Sequence, residues 1–119
     1  MAREIETKCI HLEETEGALN HFGAMAYPIY QSATYAHPGV GQSTGYDYSR
    51  LQNPTREHLE KTVASLENGI DALAFSSGMA AITLMMELFK PGDHLIVDAD
   101  LYGGSIRLFN HVSEIGRAH

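Results

Sequence analysis

Three short segments carry residue types that bind anions and flat rings. The first is Ser76-Ser77-Gly78-Met79, set between a short apolar run and a longer, strongly apolar stretch. A helix beginning there offers unpaired N–H groups and the positive end of its dipole. Glycine lets a ligand approach the backbone closely. The combination makes an anion site, with phosphate its most natural occupant. The second segment is Tyr46-Asp47-Tyr48-Ser49-Arg50. An arginine beside tyrosine hydroxyls can clamp a phosphate through charge-assisted hydrogen bonds. The third, Asp100-Leu101-Tyr102-Gly103-Gly104, comes just after the C-terminal end of a predicted strand, where open parallel sheets bind their ligands. Its glycines leave the Tyr102 ring room to stack on a planar molecule. Each segment also has a plain structural reading: serines that only cap a helix, an arginine on a solvated loop, a tyrosine packed in a turn.

Other chemistries find no support. Gly39-Val40-Gly41-Gln42-Ser43-Thr44-Gly45 is one residue too long for the dinucleotide fingerprint and has no strand before it. No phosphate loop with Lys-Ser or Lys-Thr occurs, and Ser76 and Ser77 lack the Gly-x-Ser-x-Gly elbow. The seven histidines, His11, His21 and His37 among them, do not have metal-ligand spacing, so no metal site is expected.

The elements that must position these segments can be read from local pattern. Asn53-Pro54-Thr55 reads as a helix start, with a capping side chain and a proline where its missing N–H costs nothing. Leu59, Val63, Leu66 and Ile70 recur on one helical face, Glu57 and Lys61 stand four apart in the favourable order, and Asn68-Gly69 supplies the stop. Residues 70–75 form a short apolar run. Ala80 to Phe89 is apolar nearly all round, the mark of a buried helix. Lys90-Pro91-Gly92-Asp93 breaks it, His94-Leu95-Ile96-Val97 reads as a buried strand, and Ser105 caps a last helix with Leu108, Val112 and Ile115 on one face. Helices alternating with short apolar strands predict an α/β fold with a parallel sheet. Only two strands are visible, and parallel sheets need cover on both faces. The expectation is a chain that is incomplete or leans on a partner.

Residues 1–52 differ. They show weak periodicity, many glycines and prolines, and five of the six tyrosines: Tyr27, Tyr30, Tyr35, Tyr46 and Tyr48. They read as an arm laid over another surface, with residues 53–119 as the beginning of an α/β domain. A loose N-terminus is the alternative. The chain has 119 residues, and its hydrophobic fraction of 44% excludes a disordered tail. A net charge of −7 argues against nucleic-acid binding, which needs a basic footprint. No apolar run approaches a membrane span, the first residues hold no secretory signal, and a single cysteine, Cys9, suits a reducing compartment. The expected location is cytoplasmic.

Taken together and in order, Tyr48-Ser49-Arg50-Leu51-Gln52-Asn53-Pro54-Thr55, Ser76-Ser77-Gly78-Met79-Ala80-Ala81 and Asp100-Leu101-Tyr102-Gly103-Gly104 resemble the pyridoxal-phosphate (PLP) enzymes of cysteine and methionine metabolism. Pro28-Ile29-Tyr30-Gln31-Ser32-Ala33-Thr34 resembles that family's N-terminal arm. The likeness runs from about residue 7 to 113. It implies the large domain of the fold type I, aspartate aminotransferase-like architecture. It implies PLP as cofactor, with Ser77, Gly78 and Met79 at its phosphate, and Tyr48 and Arg50 reaching a neighbouring subunit's phosphate. Tyr102 would stack on the pyridine ring and move a proton. The family's homotetramers are dimers of dimers with shared active sites, and its members carry out elimination or replacement at Cβ or Cγ of sulfur amino acids or activated homoserine.

The resemblance also implies a lysine that holds the cofactor covalently and an acidic partner for its ring nitrogen. Of Lys8, Lys61 and Lys90, none sits in the family's active-lysine context. The expectation is therefore an N-terminal part, inactive alone, departing from the family's pattern at residues 115–119. Gly104 and Ser105 stand where methionine γ-lyases often place a cysteine, which favours cystathionine synthase or lyase chemistry over methionine γ-lyase or acyl-homoserine sulfhydrylase. The readings left beside it are a non-catalytic fragment needing a complementing C-terminal piece, and an unrelated α/β phosphate-binding domain.

Overall fold

The computed structural model describes residues 4–10, 24, 26–90 and 93–112. Their elements are α1 (Ile5–Ile10), α2 (Pro54–Leu66), α3 (Gly78–Met86), α4 (Gly103–Arg107) and a π-helical turn at Leu108–Val112. The chain divides into two compact units, residues 1–74 and 75–119.

In the first unit, α2 starts and stops where its sequence dictates. Asn53, in extended backbone, accepts the Thr55 N–H on its side chain at 2.9 Å, and Pro54 opens the helix. Asn68 turns left-handed at φ 54°, a conformation that Asn tolerates. The Gly69 N–H then returns to the Ala64 carbonyl at 2.8 Å. The apolar face is not covered, however. Pro54 and Ala64 are the buried residues of α2, whereas Leu59 and Val63 are exposed.

The arm packs on the start of α2 within the same unit. Thr55 Oγ1 accepts from the Tyr30 N–H at 2.8 Å and donates to the Pro28 carbonyl at 3.0 Å. Asn53 Nδ2 donates to the Tyr30 carbonyl at 3.0 Å. Tyr27 stacks on His58, with ring centroids 3.9 Å apart and 9° between planes. Asn-Pro-Thr is thus both a helix start and the knot that ties down the arm, and this explains how so aromatic a segment is ordered without a core of its own.

A tyrosine–carboxylate–ammonium tether closes the same unit. Tyr46 Oη donates to Glu57, which also takes Lys61 four residues on. The Lys61 hydrogen bond, and after it that from Tyr46, holds the Glu57 carboxyl below its ordinary value of 4.5. Burial, then the hydrogen bond to Glu57, pushes the Tyr46 phenol above its ordinary range. A carboxyl with a depressed folded value contributes stability above its unfolded value and loses it as pH falls through the folded one. The expected result is a tether intact from about pH 4.5 to about pH 10 that loosens on the acid side first. Glu57→Gln abolishes that acid-side dependence. A carboxyl-carbon NMR titration of Glu57 checks it, and an inflection at or above 4.5 overturns it. The effect on stability is small, because the Glu57 side chain is 37% exposed and solvent screens the pair.

In the second unit, Ser77 caps α3 by accepting the Ala80 N–H at 3.2 Å. α3 packs against α4, and Met86, Ser105 and Leu108 are the buried ones among the described residues of this unit. Three expectations change here. The all-apolar helix is not enclosed: Met86 is buried, but Leu84, Met85 and Leu88 are exposed. The last helix begins at Gly103 with Tyr102 at its cap position and no side-chain cap bond. Ser105 lies inside it at 4% exposure, because the two glycines let the turn start earlier. Residues 70–75 and 93–98 form no strand ladder among the described residues. The segment expected as a buried strand lies open, with Ile96 96% exposed. A strand exists only through a partner's hydrogen bonds, and neither segment meets a partner strand among the described residues. The sole bridge among those residues joins Thr34 and Tyr48. Pro91, Gly92 and residues 115–119, on which other expectations fall, lie outside the described residues, as do His11 and His21.

Candidate functional site

The Tyr48–Arg50 segment is fixed from several sides. The Ser49 N–H donates to the Ala33 carbonyl at 2.9 Å and the Tyr35 N–H to the Asp47 carbonyl at 3.1 Å, the two bonds flanking the Thr34–Tyr48 bridge. Ser49 Oγ donates to the Ser32 carbonyl and accepts from Asn53 Nδ2. The Tyr48 carbonyl accepts the N–H groups of Leu51 and Gln52, both at 2.9 Å, which closes a turn. On this base Arg50 Nη2 donates to Tyr48 Oη at 2.5 Å, and its guanidinium carbon lies 5.0 Å from the ring centroid. The pair forms a hydroxyl–guanidinium unit of the kind that grips phosphate. Arg50 is exposed and keeps donors free for an anion.

The second unit holds the other predicted residues. At the start of α3 the Ala80 and Ala81 N–H groups are taken by the Ser77 carbonyl, at 3.1 and 3.2 Å. The amides of Gly78 and Met79 have no partner among the described residues. A Cβ built on Gly78 would meet nothing within 4 Å. Gly78 is exposed, and the Ser77 hydroxyl, whose oxygen accepts from Ala80, still has its proton to donate. Two free amides, a hydroxyl and the positive end of a helix dipole are the donor set a phosphate needs, so the residues present fit the phosphate of PLP.

Tyr102 stands at the start of α4, 73% exposed. A Cβ at Gly104 would come within 2.5 Å of the Tyr102 ring and 3.1 Å of Met79 Sδ. Glycine at 104 is thus what allows the ring its place. Ser105 Oγ lies 3.8 Å from Met79 Sδ and joins the start of α4 to the start of α3. The structure therefore groups Ser77, Gly78 and Met79 with Tyr102 in one unit, and Tyr48 with Arg50 in the other.

Two residues of the site escape sequence reasoning. Asn53 reads from sequence as a cap only, yet its amide group also reaches Tyr30, Tyr35 and Ser49. Arg56 belongs to no motif, although it sits in the first turn of α2, where the helix dipole disfavours a cation. A cation against the dipole is the signal that could have drawn attention to it.

Comparisons with known proteins place the chain in a family. The sequence pattern described as Cys/Met metabolism PLP-dependent enzyme matches residues 6–117. A Bacillus subtilis protein named cystathionine gamma-synthase/O-acetylhomoserine (thiol)-lyase is 50% identical over 111 residues, covering 93% of this chain and 29% of its own length. A cystathionine beta-lyase from Coxiella burnetii is 49% identical over 108 residues, 91% of this chain and 27% of its own. Among solved structures, cystathionine gamma-lyase from Lactobacillus plantarum, complexed with L-serine, superposes with a TM-score of 0.82 at 41% identity, over 98% of this chain and 30% of that one. Cystathionine gamma synthase from Xanthomonas oryzae, in complex with cystathionine, gives 0.85 at 34%, over 99% and 30%. The chain thus spans somewhat under a third of the length of these relatives.

Proposed function

Because the chain belongs to the Cys/Met metabolism PLP-dependent enzyme family, we propose that it supplies the arm and the phosphate-gripping start of the cofactor domain of an enzyme acting on cystathionine or an activated homoserine. The reaction is elimination or replacement at Cβ or Cγ. The observation that carries this reading is the pair of amides of Gly78 and Met79 at the head of α3, without a partner among the described residues.

Bound PLP supplies an electron sink for the negative charge that develops beside the substrate's amino group. This chain's own residues bind, orient and move a proton. Gly78 and Met79 donate their amides to the phosphate, and Ser77 donates its hydroxyl. Residues 1–52 dock on a neighbouring subunit, where Tyr48 and Arg50 close on that subunit's phosphate. Tyr102 lays its ring against the cofactor and moves a proton at Oη. The working assembly is a homotetramer made as a dimer of dimers, in the cytoplasm. The names of the matched relatives support cystathionine synthase or lyase chemistry, and that of the Bacillus subtilis relative keeps O-acetylhomoserine (thiol)-lyase chemistry beside it.

The 119 residues alone do not turn over, since none of Lys8, Lys61 and Lys90 stands in the context of the family's cofactor-holding lysine. The test is a holoenzyme in which this chain replaces the matching stretch of the Bacillus subtilis relative, compared with the chain alone. The expected result is that the holoenzyme retains PLP and releases or forms cystathionine products while the isolated chain does neither. A folded holoenzyme that fails to retain PLP, or keto-acid release by the chain alone, overturns the reading.

A further inference from the structure

The turn that presents Tyr48 and Arg50 is held from behind by a cation. Arg56 Nη2 donates to the Leu51 carbonyl, while Nη1 lies 3.5 Å from the Ser49 carbonyl and 3.4 Å from that of Arg50. Its Nε faces Glu60 Oε1 at 3.6 Å, one helical turn further along α2. Glu60 is itself fixed, because Oε1 accepts the Ala74 N–H at 2.8 Å. The pair is partly withdrawn from water, with side chains 34% and 16% exposed. One planar guanidinium thereby spans three successive carbonyls and a carboxylate, which the single point charge of a lysine cannot do. Its place in the first turn of α2 opposes the helix dipole. The three turn carbonyls and Glu60 offset that cost, so the arginine is explained by the turn and not by the helix.

We infer that Arg56, oriented by Glu60, is a positioning residue that sets the Tyr48–Leu51 turn at the geometry in which Tyr48 and Arg50 grip a phosphate; the inference rests on the cofactor reading above. Tyr48 and Ser49 are bonded to the arm through the Thr34 bridge. Arg50 and Leu51, which lie beyond that bridge, depend on Arg56 for their carbonyls. Without it the turn persists through the Leu51 and Gln52 N–H bonds to Tyr48, but the direction in which Arg50 leaves the turn is no longer fixed.

The test measures two dissociation constants in the PLP-binding holoenzyme, one for PLP and one for pyridoxal, which lacks the phosphate. A purely structural defect moves both equally, whereas a displaced phosphate clamp moves only the first. Arg50→Ala is the reference variant. If it leaves the PLP/pyridoxal preference unchanged, the cofactor reading of the clamp has failed. Given that Arg50→Ala reduces the preference, Arg56→Lys should lower it about tenfold, with pyridoxal affinity held. A preference within about twofold of the parent in Arg56→Lys, or an equal loss of both ligands, overturns the inference. Should Arg56→Lys not fold, Glu60→Gln decides by the same ratio, since it keeps the guanidinium and releases its orientation.

Discussion

Gly78→Pro leaves α3 intact and lowers the affinity of the holoenzyme for PLP by about ten- to a hundredfold, the worth of one hydrogen bond to a charged group. Proline at the first position of a helix has the backbone angle that position wants and gives up an N–H that no intrahelical bond uses. The residue before a proline must be extended, and Ser77 already is, at φ −157° and ψ 155°. A side chain at 78 meets open space. The substitution therefore removes one donor and little else. Circular dichroism of the variant should match the parent while a PLP titration does not. Equal PLP affinity in a folded variant would mean that the Gly78 amide does not face the phosphate.

Tyr102→Phe should cut turnover by about two to four orders of magnitude, the usual range for a lost general acid–base group, and leave PLP affinity close to that of the parent. The phenylalanine ring keeps the stacking surface and deletes only Oη. Tyr102→Ala should lose affinity as well, because the ring goes. Neither change should disturb folding, since the side chain is 73% exposed at the head of a short helix. Steady-state rates beside equilibrium PLP binding separate the two roles. Undiminished turnover in Tyr102→Phe would take the proton from this residue and leave it a stacking role.

The local elements are legible in the sequence where local physics decides them. Asn53, Pro54 and Asn68 fix the ends of α2 through capping and backbone angle, and all three act within a few residues of themselves. Ser77 and Gly78 fix the start of α3 in the same way. The candidate site is legible for a different reason: phosphate chemistry needs free donors, and a Ser-Ser-Gly step into a helix advertises them. What cannot be read is long-range. Thr55 binds residues 25 and 27 positions away, and no periodicity encodes such a contact. Burial is misjudged for the same cause. Leu95, Ile96 and Val97 have the composition of a covered strand, but cover is a property of neighbours, and the described residues leave Ile96 open and Leu95 and Val97 only partly covered.

Those open apolar segments bear on how the polypeptide behaves in isolation. Residues 93–98 combine three successive apolar side chains, two of them β-branched, with a backbone that joins no ladder among the described residues. Such a stretch is a template on which further copies can add edge to edge. Asp93 and Asp98 flank it as gatekeepers, their like charges resisting stacking in register. The 119 residues made alone are thus a client for chaperones and a candidate for inclusion bodies.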